Sequence, residues 1–195
     1  MLRIAFIIVA CVVAGFVAGC ASPPSHFYTL SRATAPGATT TTLSVLVGPV
    51  SIPAIVDLPQ IVVSTGPNQV TLNEFERWAS PLQNNISRVV AENLVTALGT
   101  PDVSLFQQSL NASADYRVAI EVQSFESAPG DAATLNAVWI VRRTKDGKAQ
   151  TGRTTVREPT ADKTYDALAA AHSRALGRMS QDVADAIRAL DRAAP

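Results

Sequence analysis

Tyr116-Arg117-Val118-Ala119-Ile120-Glu121-Val122-Gln123 decides the fold class, because apolar residues at 116, 118, 120 and 122 alternate with Arg117, Glu121 and Gln123. A period of two is that of a β-strand with one face toward a core. Residues 134–142 predict a second strand, with Leu135, Ala137, Trp139 and Val141 on one face and Val138 and Ile140 on the other. Its centre should be covered on both sides. Lys145-Asp146-Gly147-Lys148 predicts a tight hairpin turn, and residues 153–158 the returning strand.

Outward from these strands the period changes to that of helices. Across residues 163–190, Tyr165, Leu168, His172, Leu176, Met179, Val183, Ile187 and Leu190 recur three or four apart, the pattern of a long amphipathic helix. Upstream, Ser80-Pro81-Leu82-Gln83 predicts a helix start, with Ser80 as cap, Pro81 at the first helical position and Gln83 closing a capping box. Leu82, Ile86, Val89, Val90, Leu94 and Leu98 carry its apolar stripe to a stop at Gly99 and Pro101.

Shorter segments fill the rest. Residues 103–106 read as a brief strand, and 61–63 with 69–72 as a hairpin around a longer loop at 64–68. Residues 43–50 are apolar at nearly every position, which predicts a strand covered on both faces whose ladder ends at Gly48-Pro49. Residues 26–30 read as a short strand, and 31–42, rich in Ala, Thr, Pro and Gly, as a flexible connector. The expected fold is a single α/β domain, a mixed β-sheet with two main α-helices.

The N-terminus has another character. Arg3 precedes an almost unbroken apolar run from Ile4 to Ala18, a signal-peptide pattern shorter than the ~20 residues a spanning helix needs. Val17-Ala18-Gly19-Cys20 then resembles a lipobox, so cleavage is expected before Cys20, with a diacylglycerol and an N-acyl chain such as palmitate on that cysteine. Several acyl chains hold a protein on a bilayer stably, where one binds only marginally. The resulting division is residues 1–19 as signal peptide, 20–42 as lipidated cysteine, first strand and connector, and 43–192 as the folded domain. Cys11 leaves with the signal, so the folded body keeps no free thiol and no disulfide.

Composition bounds the chemistry. Losing Arg3 leaves fifteen Lys and Arg against sixteen Asp and Glu, a balance that gives no support to nucleic-acid binding. No Gly-x-Ser-x-Gly elbow, His-Glu-x-x-His pair, Cys-x-x-Cys pair or phosphate-cradling glycine loop is present, so neither an enzyme nor a metal site is expected, and no cofactor beyond the lipid on Cys20. His172 on the apolar stripe reads as a packed histidine, and Asp166, six residues away, forms no dyad with it. Glu74 and Glu76 could pair as acid and base, but solvated surface charge is the commoner reading. Arg77 and Trp78 have two readings: Trp78 in the core with Arg77 paired to Glu74 or Asp57, or both as anchors of a partner interface.

The chain resembles the PqiC-type lipoproteins, auxiliary components of ABC-type transport systems. The likeness rests on Phe27-Tyr28-Thr29-Leu30, Val47-Gly48-Pro49-Val50, Ile52-Pro53, Asp57, Pro59-Gln60-Ile61-Val62 and Glu76-Arg77-Trp78-Ala79 with Pro81-Leu82. Asp115-Tyr116-Arg117-Val118, Phe125 and Trp139 complete it. The chain departs from the pattern at Leu58, where the family often carries an arginine, near Ser64, where it often carries another polar or basic residue, and at Ser80, where it often carries an acidic residue. The resemblance implies a lipid-anchored, periplasm-facing subunit at the outer membrane, partnered by an MCE-domain protein and serving lipid traffic and envelope integrity. It leaves homo-oligomers open. The alternative is a lipoprotein binding module of a secretion or envelope-assembly complex.

Overall fold

The structure is a computed structural model and describes residues 23–33, 40–106 and 113–193. The expected signal peptide and Cys20 lie outside these residues. Eight strands and two helices follow in the order β1 (His26–Tyr28), β2 (Val45–Ser51), β3 (Gln60–Gly66), β4 (Gln69–Trp78), α1 (Leu82–Leu98), β5 (Val103–Leu105), β6 (Tyr116–Ala128), β7 (Ala132–Arg143), β8 (Ala149–Pro159) and α2 (Tyr165–Arg192). The class is α/β with two helices, and the strands divide between two mixed sheets. One has the order β5-β2-β6-β7-β8, the other β1-β4-β3.

The large sheet is parallel across β5, β2 and β6 and antiparallel across β6, β7 and β8. The two helices pack side by side on one of its faces, α1 over β2 and β5 and α2 over β7 and β8. Val118 faces Val141 and Ile120 faces Trp139 in the register, and all four are buried under the helices. The opposite face carries no helix. Val138 and Ile140 are therefore only half-buried, against the expectation that both sides of β7 are covered.

β6 runs five residues beyond the expected strand because a bulge interrupts its alternation. The register passes from Val122↔Ala137 to Ser124↔Asn136, leaving Gln123 unpaired and shifting the inward positions to Phe125 and Ser127. A strict period of two loses the strand there. β2 likewise continues through Gly48-Pro49 with a register shift between Val47 and Val50, where the sequence predicted its end.

Helix starts are set differently from the expectation at α1. Pro81 is itself the cap residue and no side chain caps the helix; Gln83 instead donates from Nε2 to the Val50 carbonyl, tying α1 to β2. At α2 Thr164 caps through its hydroxyl, which accepts from the Ala167 amide at 3.1 Å. The loop at 64–68 is also tighter than expected, since Gly66 pairs with Gln69 across Pro67-Asn68.

Candidate functional site

The segment from His26 to Ala33 is built into the fold. β1 lies parallel to β4, with His26, Phe27 and Tyr28 opposite Glu76, Arg77 and Trp78. The next residue but one, Leu30, is completely enclosed, and its carbonyl accepts from Arg88 Nη2 at 2.6 Å. The Ser31 amide donates to Ser173 Oγ of α2 at 3.0 Å and the Ala33 amide to Asn93 Oδ1 of α1 at 3.1 Å. Arg32 reaches Thr96 Oγ1 at 3.2 Å. Residues 30–33 thus lie along the seam between the helices and are not a free connector; at its far end the Thr41 amide donates to the Gly99 carbonyl. Residues 34–39 of the expected connector lie outside the described residues.

The seam was visible in the sequence only as anomalies. Asn93, Ser173 and Ser180 interrupt apolar helix faces, and they are buried because they bond the arm and one another, as in the 3.3 Å contact of Asn93 Nδ2 with Ser180 Oγ. Gly177 sits mid-helix, where glycine costs about 1 kcal/mol relative to alanine. Close approach explains it, since a Cβ there would meet the Ala33 carbonyl oxygen at 3.2 Å.

Glu76 joins the arm to β4. Its carboxylate accepts from Tyr28 Oη at 2.5 Å and from His26 Nδ1 at 2.9 Å. The Tyr28 bond holds the Glu76 carboxyl below the usual range, while burial and the adjacent carboxylate push the Tyr28 hydroxyl up to about 12. An acid held ionised and a phenol held neutral form a fastener, not an acid–base pair. Glu74 is separate from it, bonded to Gln60 Nε2 at 2.8 Å.

Trp78 is buried, its ring edge-on to Phe125 at 6.3 Å. Arg77 beside it is half-buried and forms no ion pair with Glu74 or Asp57, so the pairing expected of it does not form. Its register partner on β1, Phe27, is strongly exposed. His172 is enclosed, stacked on Phe125 at 3.7 Å and within 2.8 Å of Ser127 Oγ through Nε2. Burial pushes it down to about 3. Among the described residues no group of His, Cys, Asp and Glu is arranged to hold a metal, and no helix is long and apolar enough to cross a membrane.

A family model for the ABC-type transport auxiliary lipoprotein component matches residues 28–184. The chain belongs to this family. The match starts within β1 and ends within α2, so it takes in both sheets and the helix seam. Among solved structures, protein XCC0632 of Xanthomonas campestris, from the DUF330 family, has 23% identity and a TM-score of 0.65, over 81% of this chain and 92% of that one. An uncharacterized protein has 18% identity and a TM-score of 0.69, over 85% and 99%. Both share the fold. A PelC dodecamer from Paraburkholderia phytofirmans, at 14% identity over 79% and 91%, superposes with a TM-score of only 0.35, too little to bear on assembly. No curated protein matches the chain significantly. As a member of a transport auxiliary family, the chain falls in no known enzyme family.

Proposed function

We propose that this auxiliary lipoprotein is anchored at the outer membrane by lipid on Cys20 and docks on an MCE-domain protein of its transport system, supporting lipid movement between the two membranes. The observation that carries the reading is the arm. A chain of six residue steps joins Cys20 to His26, and from there the polypeptide is fastened at Glu76 and locked between both helices. An anchor attached there holds the whole domain and not a loose tail. Ala21, after the cysteine, lacks the aspartate that commonly retains lipoproteins at the inner membrane.

Within this reading Arg77 contacts the partner together with Phe27, and Trp78 supports both from below. Cys20→Ser is expected to fold yet leave the outer-membrane fraction; unchanged fractionation overturns the anchor. Arg77→Ala is expected to fold normally and to lose co-purification with the MCE-domain protein, since an interface anchor is worth about 2 kcal/mol or more, roughly thirtyfold in affinity. Trp78→Ala instead unfolds or expresses poorly. Normal partner capture by a stable Arg77→Ala removes Arg77 from the interface, and capture of a secretion component in place of the MCE-domain protein replaces the transport reading.

A further inference from the structure

No charged residue occurs from Leu58 to Asn73, the stretch that contains β3, its turn and the first half of β4. Val70 and Leu72 there are 47% and 44% exposed, and Ile55 in the preceding turn is 58% exposed. Ile55 and Val70 edge a groove of about 580 Å³ with Val56, Val62 and Phe125 beneath it. Leu72 stands opposite Val62 in the register, so it shares the groove's face. Single exposed apolar residues are ordinary, whereas a contiguous apolar surface marks contact with lipid or protein.

The direction of β1 says which. β1 is parallel to β4 with His26 opposite Glu76, so the chain enters β1 from the end where β4 begins, the hairpin end. The six steps from Cys20 to His26 span at most about 21 Å. The six steps from Val70 to Glu76 along β4 span at most about 20 Å. A tether of that length is therefore long enough for an anchor at Cys20 to reach the level of the hairpin tip.

We propose that the uncharged β3–β4 hairpin, with Ile55 and Val70 edging its groove and Leu72 on the same face, is the surface by which the domain rests on the bilayer that holds the Cys20 lipid. This rests on the anchoring reading above. Apolar side chains gain by entering the boundary between headgroups and acyl chains, and a protein-borne contact beside the lipid fixes the orientation of a domain that the acyl chains already hold. The hairpin itself brings no charge to the bilayer, and Glu126 of β6, which also lines the groove and is exposed, stays at the level of the headgroups, where its carboxylate keeps its water. The β7–β8 turn lies at the other end of the large sheet, because β7 starts beside the groove and runs to Arg143, about 37 Å at strand spacing. That end faces away from the lipid.

The test uses the full lipidated chain carrying Val70→Cys, Ile55→Cys or Lys145→Cys. With Cys20 acylated the introduced thiol is the only free one, so an environment-sensitive fluorophore attaches once. On vesicles of phosphatidylethanolamine and phosphatidylglycerol, labels at 70 and 55 are expected to shift to the blue and to be quenched by brominated acyl chains, while the label at 145 does neither. Flotation with the vesicles but with all three labels equally water-exposed overturns the proposal alone. Failure of the unlabelled lipidated chain to float overturns the anchoring reading and the proposal with it. A blue shift at 70 that grows with protein concentration in a Cys20→Ser chain without lipid assigns the groove to a second copy, and so also overturns it.

Discussion

His172 is a titratable group held in an apolar environment, with one ring nitrogen bonded to Ser127 and Phe125 stacked on its face. Its folded-state pKa is pushed down to about 3, below the ordinary value of 6.5. Between those values the unfolded chain binds the proton and the folded chain does not, so stability is full above pH 6.5 and falls as pH drops toward 3. The slope approaches about 1.4 kcal/mol per pH unit. Urea midpoints at pH 7 and pH 5 should differ in the wild type and differ much less in His172→Gln. Glu76 and Asp146, whose pKa values are also depressed, add their own losses only lower, through the carboxylate range. Trp139 gives a second prediction. Its indole lies flat against Gly152, where a Cβ would overlap the ring, and its Nε1 donates to Thr154 Oγ1 at 3.1 Å. Trp139→Ala should cost about 3–5 kcal/mol. Gly152→Ala should destabilise the wild type but cost much less in the Trp139→Ala background, because the two share one space. Melting curves of the four chains measure the coupling. The core role of Trp139 was legible from the alternation of its strand, whereas its dependence on Gly152, across the sheet, was not.

Elements with a long, regular period were the legible ones. The α2 stripe and the β6–β7 alternation give their positions directly, because each repeats a single geometric requirement over eight residues or more. The first residues after Cys20 have no such repeat. Pro, Ser, Thr and Ala in residues 31–42 signal loop, and nothing local distinguishes a loop in water from one laid in a groove. The information lies on the other elements, in Asn93, Ser173 and Gly177, and becomes readable only once α1 and α2 are side by side. The interface expectation for Arg77 and Trp78 had the same defect, because β4 continues through both residues and its pairing with β1 sets which side chain is buried. Leu30 carries the arm's packing. Leu30→Ala should therefore destabilise the domain by about 2–5 kcal/mol, a core penalty and not a loop one. Thermal melting of the chain lacking residues 1–19 with Cys20→Ser checks this; a melting temperature within a degree or two of the parent would show the arm to be a passenger.

At the scale of the whole molecule, the anchoring proposed at Cys20 would join three things in series: a lipid attachment, an arm locked between two helices, and a domain whose apolar hairpin lies at the end from which the arm enters β1, with exposed Phe27 and half-buried Arg77 at the opposite end of β4. In that proposal each joint shortens the distance over which the domain can wander from the bilayer. Held by six residue steps in the proposed anchoring, it would stay within about 20 Å of the lipid, so a partner reached through the same membrane region would meet it at high effective concentration. Lengthening the tether should weaken that coupling without touching the fold. Inserting twenty Gly and Ser residues between Ser25 and His26 adds a flexible span of about 25 Å root-mean-square, and effective concentration falls roughly as the −3/2 power of tether length once it exceeds the gap. The expected outcome is an unchanged melting temperature and unchanged outer-membrane fractionation, with several-fold weaker co-purification of the MCE-domain protein from membranes. Equal capture by the long- and short-tether chains would show that partner affinity alone, and not the closeness enforced by the arm, brings the two together.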